Sequence, residues 1–173
     1  MSERQRLFFA LWPSPAERQR LVDCQRRLAR FSGRQVVADN LHLTLAFPGS
    51  VDAATRNCLE QVATTIRVAP FHFTLDRFGY WKHPKVIWYG PSEAPAELTE
   101  LAGGLEEAMR QCGLTPDPRP YRPHVTLLRK AHEMPEVNAP QMIWRADSFV
   151  LVLSESLPGG VRYSVLRQWP LRS

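Results

Sequence analysis

Two tetrapeptides in this chain carry residues that can move protons. His42-Leu-Thr-Leu45 and His124-Val-Thr-Leu127 each place a histidine two residues before a threonine. In an extended strand successive side chains alternate faces, so His and Thr of each pair point one way and the apolar residues the other. Their Cα atoms then lie about 6.5 Å apart, close enough for both side chains to reach one small anion. Two such pairs turned toward each other would surround a phosphate with two imidazoles and two hydroxyls. Imidazole titrates near neutrality and serves as acid or base. The pattern predicts acid–base chemistry on a phosphate without a metal.

Chance does not account for it. With five His and eight Thr in 173 residues, random placement yields about 0.2 His-x-Thr triplets. Three occur, because His72-Phe-Thr-Leu75 also fits. The first and second tetrapeptides lie 82 residues apart, close to half the chain, whereas His72 falls off that spacing. His72 is therefore read as a decoy on a solvent-facing strand, and His83 and His132 as surface loop histidines.

The elements that must position the pair follow from periodicity and punctuation. Leu7 to Trp12 is an apolar strand. Ser14, Pro15 and Glu17 announce a helix with a capping box, whose buried stripe is Leu21, Cys24, Leu28 and Phe31 before a stop at Gly33. Val36 and Val37 predict a brief strand. Asp52 caps a second helix with Thr55, Leu59, Val62 and Ile66 on one face. Phe71 to Phe78 and Val86 to Tyr89 predict a hairpin. A third helix spans about Pro95 to Cys112 and stops at Gly113; Phe149 to Ser154 and Val161 to Leu166 predict a closing hairpin. Single helices alternating with strand pairs argue for an α+β fold with mostly antiparallel sheets. A strand–helix–strand element precedes each tetrapeptide, which points to two related halves about a pseudo-two-fold axis.

Length and a 44% hydrophobic content suit one domain over residues 1–173, or two small lobes sharing a core. The net charge of +5 rests on 19 Arg and three Lys. Arginine's planar fork matches phosphate, so a polyanionic partner such as nucleic acid is favoured. Cys24, Cys58 and Cys112 are odd in number, share no ligand spacing and each falls on a predicted apolar stripe, so buried thiols in a reducing compartment are expected. No apolar run approaches membrane-spanning length and no signal-peptide core follows the first residues. The expectation is a cytoplasmic monomer with no membrane partner and no cofactor.

Asn40-Leu-His-Leu-Thr-Leu-Ala-Phe-Pro-Gly49 and Arg122-Pro-His-Val-Thr-Leu-Leu-Arg129 resemble the paired motifs of the two-histidine phosphoesterases. The nearest resemblance is to bacterial RNA 2′,3′-cyclic phosphodiesterases, the 2′-5′ RNA ligase-like proteins. Arg6 to Leu11, Val86 to Gly90, Gly160 to Tyr163 and Trp169 to Leu171 extend it over nearly the whole chain, and Pro48 departs from the family's more frequent aliphatic residue. The resemblance implies a bilobal α+β structure with a central cleft and one tetrapeptide from each half. It also implies His42 as proton donor and His124 as proton acceptor; the residues alone do not say which imidazole is the base. Thr44 and Thr126 would donate to the phosphate oxygens.

Arg129 is a further phosphate ligand by the same resemblance, although parity places it on the face of Val125 and Leu127. It reaches the site only if the strand ends or bulges after Leu128. Phe9 and Tyr121 are candidates to stack a nucleobase, with core packing the stronger expectation for Phe9. Arg119 and Arg122 flank the second motif and are placed either on RNA backbone or in solvent.

The resulting expectation is metal-independent hydrolysis of RNA 2′,3′-cyclic phosphate ends to 2′-phosphates. Alternatives are reversible 2′-5′ RNA ligation at the same histidines, a basic RNA-binding module without turnover, and a transition-metal site. The last lacks any carboxylate or Cys at ligand spacing.

Overall fold

The computed structural model describes residues 3–28, 30, 32–134 and 136–173. Strand β1 (Gln5–Leu11) leads into the first helix through the expected capping box. Glu17 N–H donates to Ser14 Oγ at 3.2 Å and Ser14 N–H to Glu17 Oε1 at 2.9 Å, opening α1 (Pro15–Arg27). Leu21, Cys24 and Leu28 face inward as predicted; Phe31 lies outside the described residues. A two-residue strand β2 (Arg34–Gln35) follows Gly33, and a single 3-10 turn at Ala38–Asn40 stands just beyond the strand expected at Val36 and Val37.

Strand β3 (Leu43–Val51) carries the first motif and α2 (Ala53–Thr64) follows, with the Asp52 carboxylate accepting from Thr55 N–H at 2.8 Å. Ile66, expected on the inward face of α2, falls just past its end. Next come β4 (Phe71–Leu75), β5 (Arg77–Trp81), β6 (Val86–Gly90) and α3 (Ala96–Gln111). The chain closes with β7 (Val125–Arg129), β8 (Met142–Ala146), β9 (Ser148–Leu157) and β10 (Gly160–Pro170).

The hairpin predicted from Phe71 to Tyr89 is corrected. The run divides at Asp76, whose carboxylate accepts from Ser92 N–H and Ser92 Oγ, both at 2.7 Å. Only β5 forms the hairpin with β6, while β4 pairs with β8, where Phe73 stands opposite Trp144. A carboxylate that bonds a distant backbone N–H bends the chain at a point hydropathy alone reads as continuous.

The main sheet runs β10-β9-β1-β3-β7-β6-β5, with β2 beside β7 and every pairing antiparallel. The α+β architecture with antiparallel sheets is therefore as expected. Strand order is symmetric about the β3–β7 boundary: β1, α1 and β3 on one side correspond to β6, α3 and β7 on the other. Leu7, Phe9 and Leu11 of β1 join Leu21, Leu28, Leu59, Leu98, Leu101 and Leu105 from the helices in the principal core. The helices thus cover one face of the sheet. On the opposite face Phe8, Ala10, Val150 and Val152 form a smaller cluster with Trp12 and Tyr163.

Among the described residues no helix is long and apolar enough to cross a membrane. The expectation of three buried thiols is also corrected. Cys24 is a buried thiol, but Cys58 and Cys112 are joined in a disulfide with Cα atoms 5.8 Å apart. Packing of α2 beside α3 brings together two cysteines 54 residues apart, a proximity that spacing in the chain does not reveal.

Candidate active site

Both motif histidines stand at the mouth of a strand rather than inside it: His42 immediately precedes β3 and His124 immediately precedes β7. The two strands are registered through one pair, Leu43 opposite Val125. These residues are fully buried on the helix-covered face, so parity directs His42, Thr44, His124 and Thr126 to the opposite face.

The two imidazoles are held alike. His42 Nδ1–H donates to the Asn40 carbonyl at 2.7 Å, and His124 Nδ1–H donates to the Arg122 carbonyl, also at 2.7 Å. A carbonyl only accepts, so this bond fixes the tautomer and leaves each Nε2 as the working nitrogen. Arg122 therefore serves through its backbone. At Nε2 the symmetry breaks: His42 Nε2 accepts from the Thr44 hydroxyl at 2.9 Å, and the second motif makes no equivalent bond among the described residues.

Different aromatic walls enclose the two rings. Around His42 lie Phe8 at 4.7 Å between centroids, Trp12 stacked at 5.8 Å and Tyr163 edge-on at 5.3 Å. Arg18 of α1 stands over Trp12 at 5.6 Å and donates to the Ala38 carbonyl, bracing the turn that leads into His42. Around His124 lie Trp81 at 4.5 Å and Trp88 at 6.4 Å. Gly79, opposite Trp88 in the β5–β6 pair, leaves room for that indole, since a Cβ there would sit 2.1 Å from Trp88 Cζ2. None of these aromatics was singled out from sequence. Their common face follows only once β1, β5, β6 and β10 are known to share a sheet with β3 and β7.

Arg129 reaches the site because β7 bulges. Thr126 pairs with Trp88 and Leu128 with Ile87, so Leu127 is an extra residue on β7. Leu127 and Leu128 are consequently both buried, and Arg129 emerges on the histidine face. The bulge falls at Leu127, one residue earlier than alternation along the strand required. Its carbonyl accepts from Val36 N–H at 2.9 Å and from the buried Gln25 Nε2 at 2.9 Å, so α1 pins the irregularity.

Burial is the main cause lowering the pKa of both histidines. For His42 it outweighs the Asn40 carbonyl, and the positive fields of His124, Arg129 and Arg18 add to it, bringing the pKa down to about 4. His124 is lowered by burial against the Arg122 carbonyl, with Arg129 adding to the effect. Both rings are neutral bases at neutral pH in the free protein. An anion between them would favour protonation of either.

The two candidate stacking residues serve other ends. Phe9 is completely buried on the helix-covered face against Phe149 and Trp169, so it is corrected from base platform to core residue. Tyr121 packs against the principal core and donates its hydroxyl to the Thr44 carbonyl at 2.8 Å, tying the approach of the second motif to the first. Burial raises its pKa. Arg119 is engaged by Asp117 through paired bonds from Nε and Nη2. His72 lies exposed on β4, in the separate two-stranded sheet. Among the described residues no group of three or more His, Cys, Asp or Glu converges as a metal site requires.

Comparison with known proteins finds the same arrangement of chain. The family profile described as the 2′-5′ RNA ligase superfamily matches residues 11–155. The chain is 40% identical over 177 residues to the RNA 2′,3′-cyclic phosphodiesterase of Escherichia coli (strain K12), covering 99% of each. The crystal structure of E. coli LigT in apo form superposes with a TM-score of 0.91 at 37% identity, over 99% of this chain and 100% of that one. LigT complexed with 3′-AMP superposes with a TM-score of 0.88 at 37% identity and the same coverage.

Proposed function

We infer the reaction from one premise: the chain belongs to the 2′-5′ RNA ligase superfamily. It is an RNA 2′,3′-cyclic phosphodiesterase that opens the cyclic phosphate at an RNA end and leaves a 2′-phosphate and a 3′-hydroxyl. The observation that carries this reading is the matched tethering of the two imidazoles. Each has its Nδ1–H committed to a carbonyl two residues earlier, so two Nε2 atoms remain for proton transfer at one phosphate.

The step divides between them. A water oxygen bonds to phosphorus as the P–O3′ bond breaks. His124 Nε2 accepts the proton from water and His42 Nε2–H protonates the departing O3′. His42 suits the donor role because its aromatic enclosure by Phe8, Trp12 and Tyr163 stabilises an imidazolium once the bound anion offsets its desolvation. His124, held in a more open position, suits the activation of water. General acid and base each contribute about 10²–10⁴-fold. Thr126 and Arg129 donate to the non-bridging oxygens as charge builds, and Thr44 turns its hydroxyl to them when His42 is protonated.

That E. coli LigT was crystallised in complex with 3′-AMP accords with a site that takes a ribose carrying a phosphate. The cleft lies between the two halves of the sheet, and both belong to one domain. An RNA end as substrate accords with the positive charge. With an RNA 5′-hydroxyl in place of water, the same attack with loss of O3′ would join ends through a 2′-5′ bond, and its reverse would cleave that bond to the cyclic phosphate.

Incubation with a cyclic-phosphate-ended oligonucleotide in excess EDTA, followed by identification of the product, tests the proposal. A 2′-phosphate is expected. A 3′-phosphate would contradict the regiochemistry, loss of turnover in EDTA would assign a metal, and no turnover in either condition would leave an RNA-binding module.

A further inference from the structure

Leu21, Cys24 and Leu28 form the inward stripe of α1, and Gln25 lies on the same stripe, 2% exposed. An apolar residue would suit that place, because a buried amide is unfavourable unless its hydrogen bonds are made. Gln25 makes two from one nitrogen. Its Nε2 donates to the Val36 carbonyl at 2.8 Å and to the Leu127 carbonyl at 2.9 Å, which uses both amide hydrogens.

Those two carbonyls belong to the approaches of the two motifs. Val36 begins the stretch that runs through the 3-10 turn at Ala38–Asn40 to His42. Leu127 is the bulged residue of β7, and its carbonyl also accepts from Val36 N–H at 2.9 Å. A bulge leaves backbone groups outside the strand ladder, and here α1 supplies a partner. Strand β3 is bulged as well: Ala10 pairs with Thr44 and Phe9 with Ala46, so Leu45 is its extra residue. Among the described residues no side-chain amide bonds the Leu45 carbonyl. The brace is particular to the bulge that precedes Arg129.

We propose that Gln25 is a positioning residue of the active site: by holding the Leu127 carbonyl from the helix side, it fixes the bulge that presents Arg129 to the histidine face. This rests on the reading of the site as one for a phosphate between His42 and His124, and deepens it by naming what sets the cation in place. Without the amide, the Leu127 carbonyl keeps only Val36 N–H. The strand is then free to recover its alternation, which turns residue 129 toward the face of Val125. Arg129 adds a positive field at both imidazoles, so its withdrawal is readable in their titration.

Gln25→Met keeps the length of the side chain and removes its donors. With adenosine 2′,3′-cyclic phosphate it is expected to raise KM about 10-fold, with a smaller change in kcat, and to move the acid limb of kcat/KM to higher pH. A lower melting temperature with unchanged kinetics would make Gln25 a packing residue and overturn the proposal. The decisive comparison is the same substitution in an Arg129→Ala background, where it should alter neither KM nor the limb. A comparable effect in both backgrounds, or none in either, also overturns it. Should the wild-type protein turn over no cyclic phosphate, the hydrolase reading fails and calorimetry with 2′-AMP decides the positioning. Gln25→Met must then weaken binding only where Arg129 is present; any other pattern, including no binding, overturns it. If Gln25→Met does not fold, hydrogen exchange at Val36 N–H replaces it. Saturating 2′-AMP must slow that exchange in the wild type and leave it unchanged in Arg129→Ala, and equal behaviour of the two proteins counts against the brace.

Discussion

Leu43 and Val125 face each other across β3 and β7, the one registered pair joining those strands among the described residues. The pair behaves as a pseudo-two-fold pivot. Each residue is preceded by a histidine and followed by a threonine, and each is fully buried against the helices. Burying the pivot is what turns the histidines outward. Any slip of the pairing by one residue would send imidazoles into the core and leucines onto the opposite face of the sheet.

The histidines should be unequal to their decoy. His42→Ala and His124→Ala are each expected to reduce kcat by about 10²–10⁴-fold, with little change in far-ultraviolet circular dichroism. His72→Ala should remain near wild type, since His72 lies on the separate two-stranded sheet. A folded but inactive His72→Ala would reassign the second catalytic histidine.

Acid should loosen the fold through His42. Its folded pKa of about 4 lies below the ordinary value of 6.5. Between those values the unfolded chain binds a proton that the folded chain does not. Stability from this group is therefore complete above about pH 6.5 and lost as pH falls toward about 4, by about 3 kcal/mol. His124, shifted the same way, adds to the slope. Urea midpoints at about pH 7.5 and about pH 4.5 should fall further for wild type than for His42→Asn. Equal falls would place the acid sensitivity elsewhere.

Removing the guanidinium at Arg129 should act on binding and on titration together. Arg129→Ala forfeits a charged hydrogen bond worth about 1.5–3 kcal/mol, so KM should rise about 10- to 150-fold. It also removes a positive field that lowers both histidines, so the acid limb of the kcat/KM profile should move to higher pH. Arg129→Lys should keep the limb but not the full affinity, because an ammonium lacks the planar fork. An unmoved limb in Arg129→Ala would mean the cation does not reach the imidazoles.

Gly79 is expected to be intolerant of even one carbon. A Cβ at 2.1 Å from Trp88 Cζ2 forces the indole to move, at a cost of about 1–3 kcal/mol, and Trp88 lies against His124. Gly79→Ala should show a lower thermal midpoint and a reduced kcat. Wild-type values for both would show that the indole has room to spare.

Much of the molecule is legible in its sequence. The capping box at Ser14 and Glu17, the Asp52 cap and the stop at Gly113 all act within a few residues, and local rules predict them correctly. Those rules fail where distant segments meet. Phe8 and Phe9 are adjacent and both apolar on a strand buried on two faces, so hydropathy does not say which ring faces His42. Asp76 divides a run of strand-forming residues because Ser92 lies beside it. Cys58 finds Cys112 only when two helices pack.

What the sequence alone determined about this protein is which side chains of each motif face together. His and Thr at a spacing of two must share a face, because alternation is a property of the extended backbone itself. Tertiary structure decided reach. A bulge at Leu127, pinned by the Gln25 amide from α1 and by Val36, reverses the alternation and brings Arg129 to the face of the two histidines; its counterpart at Leu45 precedes the exposed ring of Phe47. A bulge is a mismatch between two paired strands, so its place depends on residues of both, and neither strand encodes it alone.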